Sequence, residues 1–320
     1  MLRLKKVLSA LLISGMVFSL SACNSNLALF INVKAGDNYK YHMLMNQTTN
    51  TETMGQKTSS KQDMTTDYTI SVADVDSEGN ITLNYKYDAI KVDMETNGTK
   101  QTIDSNASDS DDPTSGMYKS LIGKGFSTKM TKYGEIKEVS GIDEMINSMV
   151  ESIDSGDSEE MAAIIEQTKA SLKESFGDEA IKSSIQQSTN IFPKTSIKIG
   201  DSWDVNSSIK ALVPMDIKTT YTLDKVENGI AYVSLKSEYK TDNSEASDFM
   251  GMKMTTDLSG TMTGTIKANI KNGFLSEGEI TQNMTGKMSI NVPASDGVAE
   301  QTIDMPMDSV STVTYTTTKM

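Results

Sequence analysis

The chain has 320 residues, with 43 acidic against 30 basic side chains and a formal net charge of −13. That length accommodates one or two domains with a full apolar core. So acidic a surface repels nucleic acid and anionic headgroups, so no nucleic-acid partner is expected, and any membrane attachment is expected to come from a lipid rather than from a basic patch.

The N-terminus carries Arg3, Lys5 and Lys6, followed by an apolar run from Val7 to Leu20 that is too short to cross a bilayer as a helix. The run ends in Leu20-Ser21-Ala22-Cys23, which resembles a bacterial lipobox. That resemblance implies a signal peptide over residues 1–22, cleavage before Cys23 and attachment of a diacylglycerol, with palmitate-type acylation, to its thiol. The expected location is the outer face of the cytoplasmic membrane, with the N-terminal lipid as the membrane partner. Cys23 is the only cysteine, so disulfides are excluded, and lipidation leaves no free thiol for catalysis. Three residues, Asn24 to Asn26, separate it from the apolar run LALFINV at 27–33. Such a tether reaches about 14 Å at most, so a packed 27–33 run would hold the folded body close to the bilayer.

Beyond the tether, blocks of sequence recur in the same order. VKAGDNYKY (33–41) parallels IKIGDSWDV (197–205). DYTISVADVDSEGNITLNY (67–85) parallels TYTLDKVENGIAYVSL (220–235), and KYGEI (132–136) parallels KNGFL (271–275). This pattern reads as an internal duplication. The expected fold class is α+β, mainly antiparallel β, with a first curved β unit over 23–141, a helical insert over 142–190 and a second β unit over 191–320. Alternation at Tyr68, Ile70 and Val72 and at Ile81, Leu83 and Tyr85 predicts strands with one buried face. The segment DSNASDSDDPTSG (104–116) reads as a solvated acidic loop. A calcium reading through Asp109, Asp111 and Asp112 fails the EF-hand pattern, because Thr114 occupies the glycine position.

In the insert, Ile142, Met145, Ile146, Met149, Val150 and Ile153 share a helical face. A second helix is expected to start at Asp157 or Ser158 and to end at Gly177 as a C-cap, and a third to run from about Asp178 to Thr189. These helices are expected to cover the concave face of the C-terminal sheet.

From 250 to 270 the apolar residues fall on even positions and the odd ones are almost all polar or charged, and the return run keeps Ile280, Met284, Met288 and Ile290 on even positions too. Opposed residues share a face, so even must oppose even. A three-residue loop, Lys271-Asn272-Gly273 with a left-handed Gly273, satisfies this. It sets Gly264 opposite Ile280, Gly260 opposite Met284 and Leu258 opposite Gly286.

Chemistry is sparse. GDSW (200–203) begins like the nucleophile block of a lipase-like hydrolase family, but the parallel block has Asn38 in place of Ser202, and the only histidine, His42, lies in the other half. Gly-Asp followed by an aromatic reads instead as a turn into a strand. His42 reads as an ordinary surface histidine without an identifiable orienting partner. No phosphate loop, zinc spacing or dinucleotide fingerprint is present in the sequence, and no cofactor, metal or catalytic residue is expected; the chain reads as non-enzymatic.

Methionine is the unusual feature, with 22 copies and Met-x-Met units at 43/45, 250/252/254 and 305/307. Such residues fill cores, line adaptable cavities or, as thioethers, bind Cu(I). The candidates for lining a ligand cavity are Met252, Met254, Leu258, Met262, Ile266, Met284 and Met288.

The lipobox, the paired Gly-Asp-aromatic blocks and the glycine-punctuated hairpin together resemble an uncharacterised lipoprotein family of Gram-positive bacteria, a domain of unknown function. The long curved strands with a helical cover are also similar in architecture to lipoprotein-carrier and lipid-carrier half-barrels. The resemblance implies no catalytic residue. The leading expectation is a membrane-anchored extracytoplasmic lipoprotein that binds an apolar or lipid-like ligand. The alternative is a structural or interaction protein of the cell envelope with a filled core and no cargo.

Overall fold

The computed structural model describes residues 26–107, 113–151, 159–209, 213–241, 247–249, 252–292 and 301–320. Cys23, Asp109, Asp111, Asp112, Ile153 and the expected helix start at Asp157 lie outside the described residues.

The described chain is predominantly β. Its strands are β1 (Asn38–Thr53), β2 (Gln56–Val75), β3 (Ile81–Thr96), β4 (Thr99–Asp104), β5 (Gly125–Met130), β6 (Ile136–Ser140), β7 (Ser202–Ile209), β8 (Met215–Glu227), β9 (Ile230–Thr241), β10 (Ser247–Phe249), β11 (Met252–Asn269), β12 (Leu275–Val292) and β13 (Gln301–Lys319). All belong to one antiparallel sheet in the order β6-β5-β3-β2-β1-β13-β12-β11-β9-β8-β7, with β4 beside β3 and β10 beside β11. This corrects the expected α+β class with two duplicated units. The C-terminal strand β13 returns to the middle of the molecule and pairs β1 from Tyr39↔Lys319 to Thr51↔Met307. On its other side it pairs β12. That double pairing fuses the two halves into one sheet and leaves no free edge between them.

The recurring blocks do share local geometry. Gly36 and Gly200 both have positive φ, at 89° and 91°. In each turn the Asp N–H donates to a lysine carbonyl (Asp37 to Lys34, Asp201 to Lys198), and the lysine N–H donates to the Asp carboxylate. Gly36 and Gly200 then donate to Val72 and Leu223 on the next strand. GDSW is therefore a turn into β7, as its composition suggests.

The β11–β12 register agrees with the parity argument: Gly264↔Ile280, Gly260↔Met284 and Leu258↔Gly286. The loop reaches it differently. Asn269 N–H donates to Phe274 O, which leaves a four-residue loop, and a bulge beside Lys267/Ala268 restores even-to-even pairing. Gly273 has φ 65° as expected.

The helices are α1 (Pro113–Leu121), α2 (Ile142–Glu151), α3 (Glu159–Phe176) and α4 (Asp178–Thr189). In α2 the expected face is buried through Ile142, Met145, Ile146 and Val150. Two expectations fail. Helix α1 starts inside the segment read as a loop, with Pro113 in its first turn, where a missing N–H costs nothing. Gly177 is extended (φ −67°, ψ 174°) and forms the N-cap of α4, because α4 restarts immediately and leaves no room for a left-handed exit.

In the C-terminal half the helices reach mainly the edge strand β7 and not the expected face of β11 and β12. The main helix–sheet contacts are α1 with β4, α2 with β5, and α4 with both β6 and β7. The last pair is informative, because β6 and β7 are opposite ends of the strand order. One helix touching both edges requires the sheet to curl round its apolar face. Trp203 Nε1–H donates to Ile191 O (2.7 Å), and Thr189 Oγ1–H donates to Gly134 O (2.7 Å), so the exit of α4 stitches both edges.

The run 27–33 lies across the same end as a strap. Leu27 pairs with Ile197, Ile31 N–H donates to Lys132 O, and Asn32 N–H donates to Asn272 O. Leu29 and Val33 are buried in the two apolar clusters that fill the curled sheet. The 27–33 run is therefore packed against the folded body.

Candidate functional site

Directly paired residues share a face, so the register describes the inner surface row by row. One row runs Val92–Met64–Met45–Val313–Ile280–Gly264–Leu235–Tyr221–Trp203. The next, towards the hairpin tips, runs Met94–Gln62–Gln47–Ser311–Gln282–Met262–Ser237–Thr219–Val205. A third contains Ser60, Thr49, Ser309, Met284, Gly260, Tyr239 and Ile217. Beyond it Met305 pairs with Met288, and Met288 with Thr256.

The character of this face changes along the strands. At the strapped end it is aromatic and closed. Tyr41 stacks on Tyr315 (5.4 Å between centroids) and contacts Tyr68, which in turn meets Tyr87 at 4.7 Å. Burial pushes the phenols of Tyr41, Tyr68 and Tyr315 well above the usual range, so this floor stays neutral. Towards the tips the lining becomes methionine, glutamine, serine and threonine, and its residues are half-buried: Met45, Met64, Met262, Met284, Met288, Met305 and Met307. The long strands β1, β2, β11, β12 and β13 span roughly 55–65 Å, while β5, β6 and β7 are short. The helices lie mainly against the strands near the edges, so this central methionine surface keeps partial access to solvent.

Glycines on this face are roofed by tyrosines of the neighbouring strand. A β-carbon at Gly260 would meet Tyr239 Oη at 2.4 Å, and one at Gly278 would meet the Tyr315 ring at 2.4 Å. Tyr239 Oη–H donates to Asn283 O (2.7 Å), locking that ring flat along the sheet. The glycines thus let large rings lie down without thickening the wall.

Met254, Leu258 and Ile266 are buried, and Met262, Met284 and Met288 are half-buried on the same face. Met252 belongs to β11. Missing from the sequence-based set were Met45, Met64, Met305 and Met307, along with Gln47, Gln62 and Gln282. Met45↔Met64 was recoverable, because Met54 and Gly55 (φ 50° and 79°) form the two-residue turn that fixes the β1–β2 register. The pairing of β1 with β13 had no comparable signal.

Two hollows lie elsewhere. One of about 690 Å³ is lined chiefly by residues of the opposite, polar face, including Asn206, Asp216, Lys218, Glu238, Lys240 and Thr261. A second, of about 260 Å³, includes Lys267, Glu277 and Glu279. Ser202 Oγ is 2.8 Å from Thr222 Oγ1 on the exposed side of β7. His42, on β1, has its Nδ1 2.6 Å from Asp67 Oδ1 on β2, and β1 lies six strand positions away from β7, which carries Ser202. His42 does have an orienting carboxylate, which the sequence alone did not identify, but no nucleophile of the GDSW turn is near it.

No curated protein matches the chain in sequence. Among solved structures it is similar to lipovitellin, from a study titled for lipid–protein interactions, with 7% identity and a TM-score of 0.43 over 88% of this chain and 25% of that one. It thus spans about a quarter of lipovitellin's length. It is also similar to the outer membrane protein OprG from Pseudomonas aeruginosa (9% identity, 89% and 97% coverage, TM-score 0.20) and to an outer membrane channel from Pseudomonas putida F1 (4%, 90% and 98%, 0.23). At these scores the likenesses say nothing of function. The sequence match is firmer: residues 78–275, more than half of the chain, fit one family, and the protein belongs to that family of unknown function, DUF6263.

Proposed function

We propose that this protein is a membrane-anchored, extracytoplasmic, non-enzymatic lipoprotein that binds an apolar or lipid-like ligand along the methionine-lined inner face of its curled sheet. The observation that carries the reading is the run of half-buried methionines across neighbouring strands, above an aromatic floor and beside helices that stay near the sheet edges. Apolar surface left to water costs about 25 cal/mol per Å², so a contiguous strip of this kind calls for a cover. Unbranched thioether side chains adapt to a ligand of variable shape better than branched ones. The glutamines and serines among them suit a ligand with one polar end.

A second reading, an envelope interaction protein with a filled core and no cargo, draws on a different observation. Met254, Leu258 and Ile266 are already packed, and the 690 Å³ hollow lies on the other face. Native mass spectrometry of protein extracted in mild detergent separates the two. The first reading expects a co-purifying lipid that is lost in Met262→Trp at an unchanged melting temperature. No lipid on the wild type, together with a lowered melting temperature for the variant through overpacking by about 1–3 kcal/mol, supports the second.

A further inference from the structure

We infer that the strapped end of the sheet is a docking face for anionic lipid headgroups, built from Lys34, Lys132, Lys198 and Lys271. The inference rests on the lipid-anchor reading for its proximity to a bilayer. The four lysines are far apart in sequence, and the strap collects them. Ile31 N–H donates to the carbonyl of Lys132 (2.7 Å), Asn32 Nδ2–H to that of Lys271 (3.2 Å), and Leu27 pairs with Ile197, the residue before Lys198. Lys34 follows the strap directly.

All four lysines are exposed, and none takes part in an ion pair among the described residues. The Lys132 ammonium instead lies over the rings of Phe30 and Tyr133, at 5.1 and 5.3 Å, which keeps the charge beside the strap at an exposed position. Several acids of the neighbouring turns pair with other lysines, and Asp201 is tied to its own turn. Asp37 binds Lys319 (2.6 Å), and Asp201 accepts the Lys198 N–H (2.8 Å). Glu135 faces Lys137 and Lys194, Asp76 faces Lys129, and Glu227 faces Lys225. Next to Lys198, Ile199 stands 56% exposed, an apolar residue at the rim of a cationic patch.

Charge decides the orientation. The chain as a whole is strongly anionic, whereas these four ammonium groups have no ion-pair partner among the described residues, so this end offers an anionic leaflet an attraction of about 1 kcal/mol per lysine near the surface. Leu27 pairs beside Lys198, so a lipid on Cys23 would enter the bilayer within about 14 Å of that end of the strap. The hairpin tips at 53–56 and 96–99 then point away from the membrane, and a ligand on the inner face would be exchanged at that distal end.

The test uses the full chain as purified from bacterial membranes, reconstituted on vesicles of phosphatidylcholine alone or with phosphatidylglycerol. Flotation with the neutral vesicles reads the anchor. Lysine labelling by a membrane-impermeant amine reagent, read by mass spectrometry, reads the orientation. Labelling of Lys34, Lys132, Lys198 and Lys271 should fall about fivefold on phosphatidylglycerol relative to neutral vesicles, while the distal Lys57 and Lys100 stay unchanged. High salt, or replacement of the four lysines by glutamine, should abolish that difference without loss of flotation. Equal labelling on both vesicle types, or protection of Lys57 and Lys100 instead, overturns the inference. Failure to float on neutral vesicles with flotation retained on phosphatidylglycerol overturns the lipid anchor and upholds the basic face.

Discussion

The carbonyl oxygen of Phe30 occupies the place where a β-carbon on Gly273 would be, 2.0 Å from its ideal position. The strap thus crosses the β11–β12 turn so closely that only glycine fits beneath it. Gly229 has a similar positive φ (78°, against 65°) but open space around it. Gly229→Ala should cost about 1 kcal/mol for the left-handed backbone alone. Gly273→Ala should cost at least about 1 kcal/mol more, because the strap must also shift. Urea unfolding of both variants checks this, and equal costs would show that the strap does not press on the turn.

Trp203 and Ser202 separate the two meanings of GDSW. Ser202→Ala should change stability by less than about 0.5 kcal/mol, since its exposed hydroxyl meets only Thr222. Trp203→Ala should cost about 2–4 kcal/mol by removing a half-buried ring stacked on Tyr221 and its bond to Ile191 O. Trp203→Phe should lose about 1 kcal/mol, mainly that hydrogen bond. Thermal melts order the three, and a Ser202 variant less stable than the Trp203 variants contradicts the turn reading.

Buried phenols predict the alkaline limit. Burial pushes Tyr85 and Tyr221 up to about 12 from the ordinary 10. A raised folded value means that the unfolded chain loses these protons first. Their contribution to stability is therefore intact below about pH 10 and is lost as pH rises towards 12. Melting temperature should hold up to about pH 10 and fall above it. Ultraviolet titration of tyrosinate should show a slow class that ionises only on unfolding; full ionisation of all tyrosines near pH 10 in the folded chain would contradict the packed floor.

Cys23→Ala should leave the chain either released into the medium or held by an uncleaved signal peptide. Fractionation with a mass measurement reads both outcomes. A fully processed variant that still sediments with membranes would exclude the lipid as the anchor.

Much of this protein is a local property of its sequence. Period-two alternation produced the inner and outer faces, because side chains on a strand alternate regardless of which strand lies beside them. Gly36-Asp37 and Gly200-Asp201 encode their turns through a backbone only glycine tolerates and a carboxylate within reach of its own lysine N–H. The β11–β12 register followed from parity alone, although a bulge and a four-residue loop achieved it. Three features depended on the tertiary structure. The return of β13 beside β1 turned two expected units into one sheet, and nothing within either strand names the other as partner. The same pairing put Met45, Met64, Met305 and Met307 on a surface with Met262 and Met284. The collection of Lys34, Lys132, Lys198 and Lys271 around the strap likewise joins residues up to 237 positions apart. Local pattern fixes which way a side chain faces, because that depends on its own backbone. Its neighbours depend on which distant strand closes the hydrogen-bond ladder, and that is decided by the free energy of the whole assembled sheet.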